Sequence, residues 1–179
     1  MNIFTTRFGN IDIDESAIIR MEEGMLGFEH LKRYVVLAHP KNDKTPFLWF
    51  QSVDDGSIAF VVVRSFDIKP DYEPVISDEE AELLEITSVG PEDVVLLSVV
   101  TIRTDPFKVT ANLRAPIVIN AKKMLAKQIV LIESDYSVRY SLVGKNTLSG
   151  EEIRKKEEMA FATTLRQEEG GRDCGVSCE

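Results

Sequence analysis

The chain has 179 residues, 44% apolar and 28% charged, with 30 Asp and Glu against 21 Lys and Arg for a formal charge of −9; this fits one globular domain plus an appendage, with a core that needs no staples. Such a charge repels a phosphate backbone, and the densest basic cluster, Arg154, Lys155 and Lys156, is flanked by Glu151, Glu152, Glu157 and Glu158, so direct nucleic-acid binding is not expected. No apolar run approaches the roughly 18 residues that span a bilayer, the N-terminus has no basic stretch leading into an apolar one, and both cysteines, Cys174 and Cys178, fall in the last six residues; the expectation is a cytoplasmic chain in a reducing compartment, with no membrane partner and no disulfide framework.

From residue 2 to about residue 143, short apolar runs are separated by Gly, Pro, Asp and Asn clusters, which predicts an all-β fold. Strands are expected at 3–7, 10–13, 33–38, 47–53, 58–64, 94–103, 108–121, 127–133 and 136–142. One helix interrupts them over 78–86, with Ser77 as N-cap, Glu80 as its capping-box partner, and Ala81, Leu83 and Leu84 turned to the sheet. In the run over 108–121, Val109, Ala111, Leu113, Ala115, Ile117 and Ile119 alternate with Lys108, Thr110, Asn112, Arg114, Val118 and Asn120. That alternation predicts one core face and one wet face. Pro116 cannot donate to a ladder and marks a bend. Beyond the last strand a second helix is expected over about 150–167, capped by Ser149 and Glu152, and then a glycine-rich disordered end. The predicted fold class is mainly β: a small closed or partly open antiparallel β-barrel over 1–143 with one short inserted helix, followed by a C-terminal extension over 144–179 that is helical and then disordered.

Residues that carry chemistry are sparse. His30 and His39 flank one predicted strand, with no second ligand at metal-binding spacing. Cys174 and Cys178 are spaced CxxxC, half of a zinc site without its other half. No nucleophile elbow, phosphate loop or dinucleotide fingerprint is present. No catalytic, metal or cofactor residue is assigned and no cofactor is expected, although a hydrolase using an unrecognised carboxylate pair stays open among so many acids. Gly24 and Gly27 bracket a turn that either seats Phe28 against the sheet or presents it to a partner. The outstanding feature is electrostatic: residues 70–102 hold nine acids, among them Asp71, Glu73, Asp78, Glu79, Glu80, Glu82 and Glu85, and no Lys or Arg. Such a segment is a solubilising face or a docking surface for a basic protein, and the residues alone leave both readings open.

Four blocks, in order, resemble the FliW family of flagellar assembly factors: GMLGFE at 24–29, PFLWFQSVDD at 46–55 followed by IAFVVV, DYEPVISDEE at 71–80, and TANLRAPIVINAKKMLAKQIVL at 110–131. The resemblance spans about residues 2–143. It implies a compact β-barrel-like protein of the bacterial cytoplasm, without catalytic activity, cofactor or metal, and monomeric when free. It also implies two protein partners. Family members bind flagellin and, once flagellin is exported, bind the translational repressor CsrA away from its RNA-contacting surface, which relieves repression of flagellin synthesis. On this resemblance the CsrA candidates are Asp71, Glu73, Asp78, Glu79, Glu80, Glu82 and Glu85, and the flagellin candidates are Phe28, Trp49, Asn112, Arg114 and Asn120. Two departures from the family pattern stand out: Leu26 occupies a place where proline is common, and a long segment, 144–179, follows the last strand. A structural flagellar subunit is a third reading.

Overall fold

A computed structural model describes residues 1–38 and 45–143. His39, the helix expected over 150–167, the end expected to be disordered and both cysteines lie outside the described residues. The elements are β1 (Asn2–Thr5), β2 (Gly9–Asp12), β3 (Ile19–Arg20), β4 (Arg33–Ala38), β5 (Phe47–Ser52), β6 (Ala59–Arg64), α1 (Ser65–Ile68), α2 (Asp78–Leu83), β7 (Val94–Thr104), β8 (Phe107–Ala111), β9 (Ile117–Asn120), β10 (Leu125–Gln128) and β11 (Tyr140–Ser141).

Seven of these strands form a closed ring in the order β7, β6, β5, β4, β3, β10, β9, with β9 returning to β7. The neighbours are antiparallel except β3 and β10, which pair in parallel through Arg20 and Leu125. The expectation of a purely antiparallel ring is corrected at that one junction. β7 is long enough, at 11 residues, to carry two partners on one edge. Its first half pairs with β9 and its second half with β8, and β11 adds to the outside of β8.

The run expected as one strand over 108–121 is therefore two strands, with residues 112–116 between them. Asn112 and Pro116 explain the break. The Asn112 side-chain oxygen accepts the backbone N–H groups of Arg114 and Ala115 at 3.0 and 3.1 Å, a local turn that competes with a ladder. Pro116 has no N–H to give. The expected strand over 136–142 shrinks to Tyr140–Ser141, because the Tyr136 hydroxyl takes the backbone N–H of Glu73 and its ring lies on Tyr72, 4.6 Å between centres.

Period-two alternation sorts β4 and β5 onto two cores. Tyr34, Phe50 and Leu48 face the ring interior with Met21, Val62, Leu97 and Ile117, and Tyr34 stacks on Phe50 at 4.5 Å, nearly parallel. Such a pair adds about 0.5–1.5 kcal/mol beyond its buried area. Burial pushes the Tyr34 phenol up to about 12. Val35 and Leu37 point the other way, against Ile3, Ile11 and Ile13 of the first hairpin. β9 breaks the alternation, since all four of its residues are buried. Val118 and Asn120, expected on a wet face, are inside; the segment that follows α2 lies over Asn120.

The hairpin of β1 and β2 is seated by the loop after β5. Gln51 is fully buried and its amide donates to the carbonyls of Ser52, Gly56 and Ile58. Gly56 in turn accepts the N–H of Thr6 at 3.0 Å. A Cβ at Gly56 would overlap the Phe4 carbonyl oxygen, so only glycine lets the two backbones approach this closely. Asp54 accepts the N–H groups of Lys32 and Arg33 at 2.7 and 2.8 Å and pairs with the Arg33 guanidinium at 2.6 Å. Burial raises the Asp54 pKa, but these hydrogen bonds outweigh it and hold the carboxyl below the usual range.

Two outcomes follow. Gly56→Ala is expected to destabilise the fold by roughly 2 kcal/mol or more, read from urea unfolding, because backbone rather than a flexible side chain must move. Asp54 has a folded-state pKa below its unfolded value, so its contribution is complete above about pH 4 and is lost as pH falls through the folded value. Asp54→Asn should therefore flatten the acid limb of a stability-versus-pH profile measured by denaturant titration, leaving its alkaline limb unchanged.

Candidate protein-binding surface

The acidic segment crosses the outside of the ring and is fastened at both ends. At its start Asp71 pairs with Lys69 at 2.8 Å, a hydrogen bond that lowers the Asp71 pKa and raises that of Lys69. Fully buried Tyr72 donates its hydroxyl to the Leu113 carbonyl at 2.6 Å. Ser77 then caps α2 as its sequence position predicts, its side-chain oxygen accepting the Glu80 N–H at 3.3 Å. Asp78, Glu79 and Glu80 fill the first turn, where unpaired N–H groups favour negative charge.

At the far end Leu84 is buried and Glu85 turns left-handed with φ 54°. Asn120 holds this turn. Its side-chain amide donates to the carbonyls of Leu84 and Glu85 at 2.9 and 3.2 Å, and its oxygen accepts the N–H groups of Lys122 and Lys123, both at 3.1 Å. A buried amide that meets four backbone groups is fully used in fixing α2 to β9. Leu84 is buried as expected, whereas Leu83, also expected to face the sheet, is exposed.

Tertiary structure brings cations to the segment that its own sequence lacks. Lys127 lies 2.7 Å from Glu23 and 3.8 Å from Glu80, and the Glu23 hydrogen bond raises the Lys127 pKa. Lys123 pairs with Glu85 and Lys122 with Asp93. Glu80 is half-buried in consequence. Asp78, Glu79 and Glu82 are exposed, and among the described residues no cation lies within salt-bridge distance of them. Glu73 is also exposed, but it lies before the helix.

The five flagellin candidates are placed apart. Phe28 is half-buried with its ring edge-on to Phe60 at 5.3 Å, packed on the interior core. Trp49 lies on the opposite face of the sheet, half-buried between Phe8, 5.8 Å away, and the Arg7 guanidinium, 4.0 Å above its ring. Asn112 and Asn120 shape backbone as described, and Arg114 donates to the carbonyls of Leu131 and Ile132. Gly24, at φ +73°, lets the loop ahead of Phe28 pass so near Phe28 and Leu31 that a Cβ would strike their carbonyls. Leu26 donates its N–H to the Gln128 side chain at 3.1 Å, a bond that proline at this place would forfeit. Lys127 and the Tyr72–Tyr136 pair were not singled out from sequence; a lone Lys or Tyr in a strand-like run gives no signal of its distant partner.

Two shallow recesses flank β3. One is lined by Glu22, Glu23, Leu84, Ala126 and Lys127, the other by Glu15, Ile18, Arg20, Arg33 and Lys123. The first is too small to hold a substrate, and Glu23 in it is ion-paired. Among the described residues the carboxylates with shifted affinity for protons, Asp14, Glu29, Asp54, Asp55 and Asp71, are shifted down, the reverse of what a general acid needs. Among the described residues no three His, Cys, Asp or Glu are grouped to hold a metal ion, and no helix is long and apolar enough to cross a membrane. His30 is exposed.

Comparison with known proteins agrees with this geometry. The sequence model of the family described as FliW protein matches residues 2–142. The chain is 52% identical over 143 residues to the flagellar assembly factor FliW of Syntrophus aciditrophicus, covering 80% of this chain and 88% of that protein. It is 45% identical over 160 residues to that of Geobacter sulfurreducens, covering 84% and 98% respectively. A crystal structure of the flagellar assembly factor FliW superposes with a TM-score of 0.70 at 36% identity, covering 82% of this chain and 100% of that one.

Asn120→Ala would strand the Leu84 carbonyl and the N–H groups of Lys122 and Lys123. Leaving such groups unpaired costs about 1–3 kcal/mol each when they stay buried, so a loss of roughly 2–4 kcal/mol is expected in urea unfolding. Amide exchange at residues 80–85 should accelerate more than exchange in β4 and β5.

Proposed function

This chain belongs to the FliW family of flagellar assembly factors, and from that membership we propose that it is a non-enzymatic cytoplasmic regulator, monomeric when free, that holds flagellin and, once released, binds CsrA and antagonises its repression of translation. The observation that carries the reading is the fixed acidic helix: Asp78, Glu79 and Glu82 stand exposed on a segment clamped by Asn120 and Leu84. A rigid array of unpaired carboxylates steers a basic partner and fixes its register without ordering cost at the moment of contact. Asp71, Glu80 and Glu85 extend the negative field while leaning on cations of the chain itself, and exposed Glu73 extends it ahead of the helix. For flagellin, Phe28 and Trp49 keep partly exposed aromatic rings, and Asn112, Arg114 and Asn120 serve by holding the backbone around them. Residues 1–143 are the proposed binding domain, and a fragment ending there should unfold cooperatively. No specific observation favours the hydrolase alternative.

The test is titration of purified CsrA into the protein at two salt concentrations. Glu79→Lys with Glu82→Lys is expected to weaken CsrA binding by about tenfold or more at low salt, about 1.4 kcal/mol, with a smaller difference at high salt, because screening removes the steering term. Unchanged affinity at low salt would sink the assignment of this surface.

A further inference from the structure

Three cations from three separate segments line the larger of the two recesses beside β3, in a chain whose formal charge is −9. Ile19 is buried in the ring interior, so its neighbour Arg20 faces outward, directly opposite Arg33 in the antiparallel pairing of β3 with β4. Both arginines are exposed. Residues registered in this way have Cβ atoms about 4.5–5.5 Å apart, a spacing at which like charges destabilise the pair. Lys123 comes from the turn between β9 and β10. Its N–H is held by the Asn120 side chain at 3.1 Å, and the carbonyl of the next residue, Met124, accepts the Arg20 N–H at 2.8 Å. The backbone beneath the cations is thus set before any ligand arrives, which lowers the ordering cost of binding.

The three cations keep donors to spare. Among the described residues no carboxylate lies within salt-bridge distance of Arg20, which borders both recesses. Asp54 engages Arg33 through Nε at 2.6 Å, which leaves its terminal nitrogens, and Glu85 meets the Lys123 ammonium, a group with three donors, at 2.8 Å. Glu15 is the one carboxylate among the described residues of the wall, and it lies 4.0 Å from the N-terminal ammonium. Half-buried Ile18 and Met124 add an apolar side. The volume of about 330 Å³ falls at the lower end of the range for small-molecule sites.

The donor set selects among anions. A carboxylate is filled by a single guanidinium fork, whereas a phosphate monoester offers three terminal oxygens, enough for two guanidiniums and an ammonium together. A long polyanion such as RNA would run past the recess onto the acidic remainder of the chain. A small anion meets chiefly the charges within a screening length of about 8 Å. We propose that the recess between Arg20, Arg33 and Lys123 binds a small phosphate monoester, its phosphoryl group on the three cations and its organic body against Ile18 and Met124. None of the lining residues belongs to α2, and the site does not depend on the reading of α2 as the CsrA surface.

Phenyl phosphate, benzoate and inorganic phosphate are titrated separately into the full-length protein by calorimetry at about 0.15 M salt. Phenyl phosphate should bind about tenfold more tightly than benzoate, and about threefold more tightly than inorganic phosphate because its ring covers apolar surface. Arg20→Gln and Lys123→Gln should each weaken phenyl phosphate by about tenfold while the circular dichroism spectrum is unchanged; both side chains are exposed, and if one variant fails to fold the other decides. Absence of phenyl phosphate binding, or indifference to either folded variant, overturns the proposal. Equal binding of benzoate overturns it in favour of a carboxylate site, and equal binding of inorganic phosphate overturns it in favour of an adventitious ion only.

Discussion

β9 is four residues long and is bonded along both edges, to residues 94–97 of β7 and to β10. It closes the ring because the chain leaves β7 after Ala111, turns through residues 112–116, and rejoins β7 at Ile117 directly after Pro116. Being covered on both faces as well, β9 has room only for apolar side chains and one polar one whose every hydrogen-bonding group is met. Asn120 is that residue. The closure of the ring and the seating of the acidic helix thus depend on the same short strand.

Much of this architecture was legible in the sequence where the physics is local. β4 and β6 fall where alternation and flanking turn residues put them, Ser77 caps α2, and Pro116 breaks a run. The resemblance of four blocks supplied the family. What escaped was set by partners far away in sequence. β3, two residues long, has no period to read; it exists because β4 and β10 flank it. Asn120 reads as a solvated strand residue until Leu84 is brought over it. Tyr136 has the alternation of a strand but is withdrawn from it by Tyr72 and the Glu73 N–H.

The acidic segment shows how far charge counted along a chain departs from charge arranged in space. Nine acids without a cation reads as a uniform field, yet Lys69 adjoins it at one end and Lys122, Lys123 and Lys127 fold against it from elsewhere. The field is thereby cut into paired carboxylates that fasten the segment and a few unpaired ones that remain available. Exposed ion pairs contribute little stability individually; their larger effect here is to set which acids still attract a visitor.

The parallel contact of β3 with β10 is a single residue pair, and β3 meets β4 through only two. The ring is like a bracelet whose clasp lies at β3, since every other junction has three or more register pairs. The side-chain latch across that clasp is Lys127 with Glu23, and the same ammonium faces Glu80 of α2. One ammonium group thus stands at both the narrowest junction of the ring and the first turn of the acidic helix.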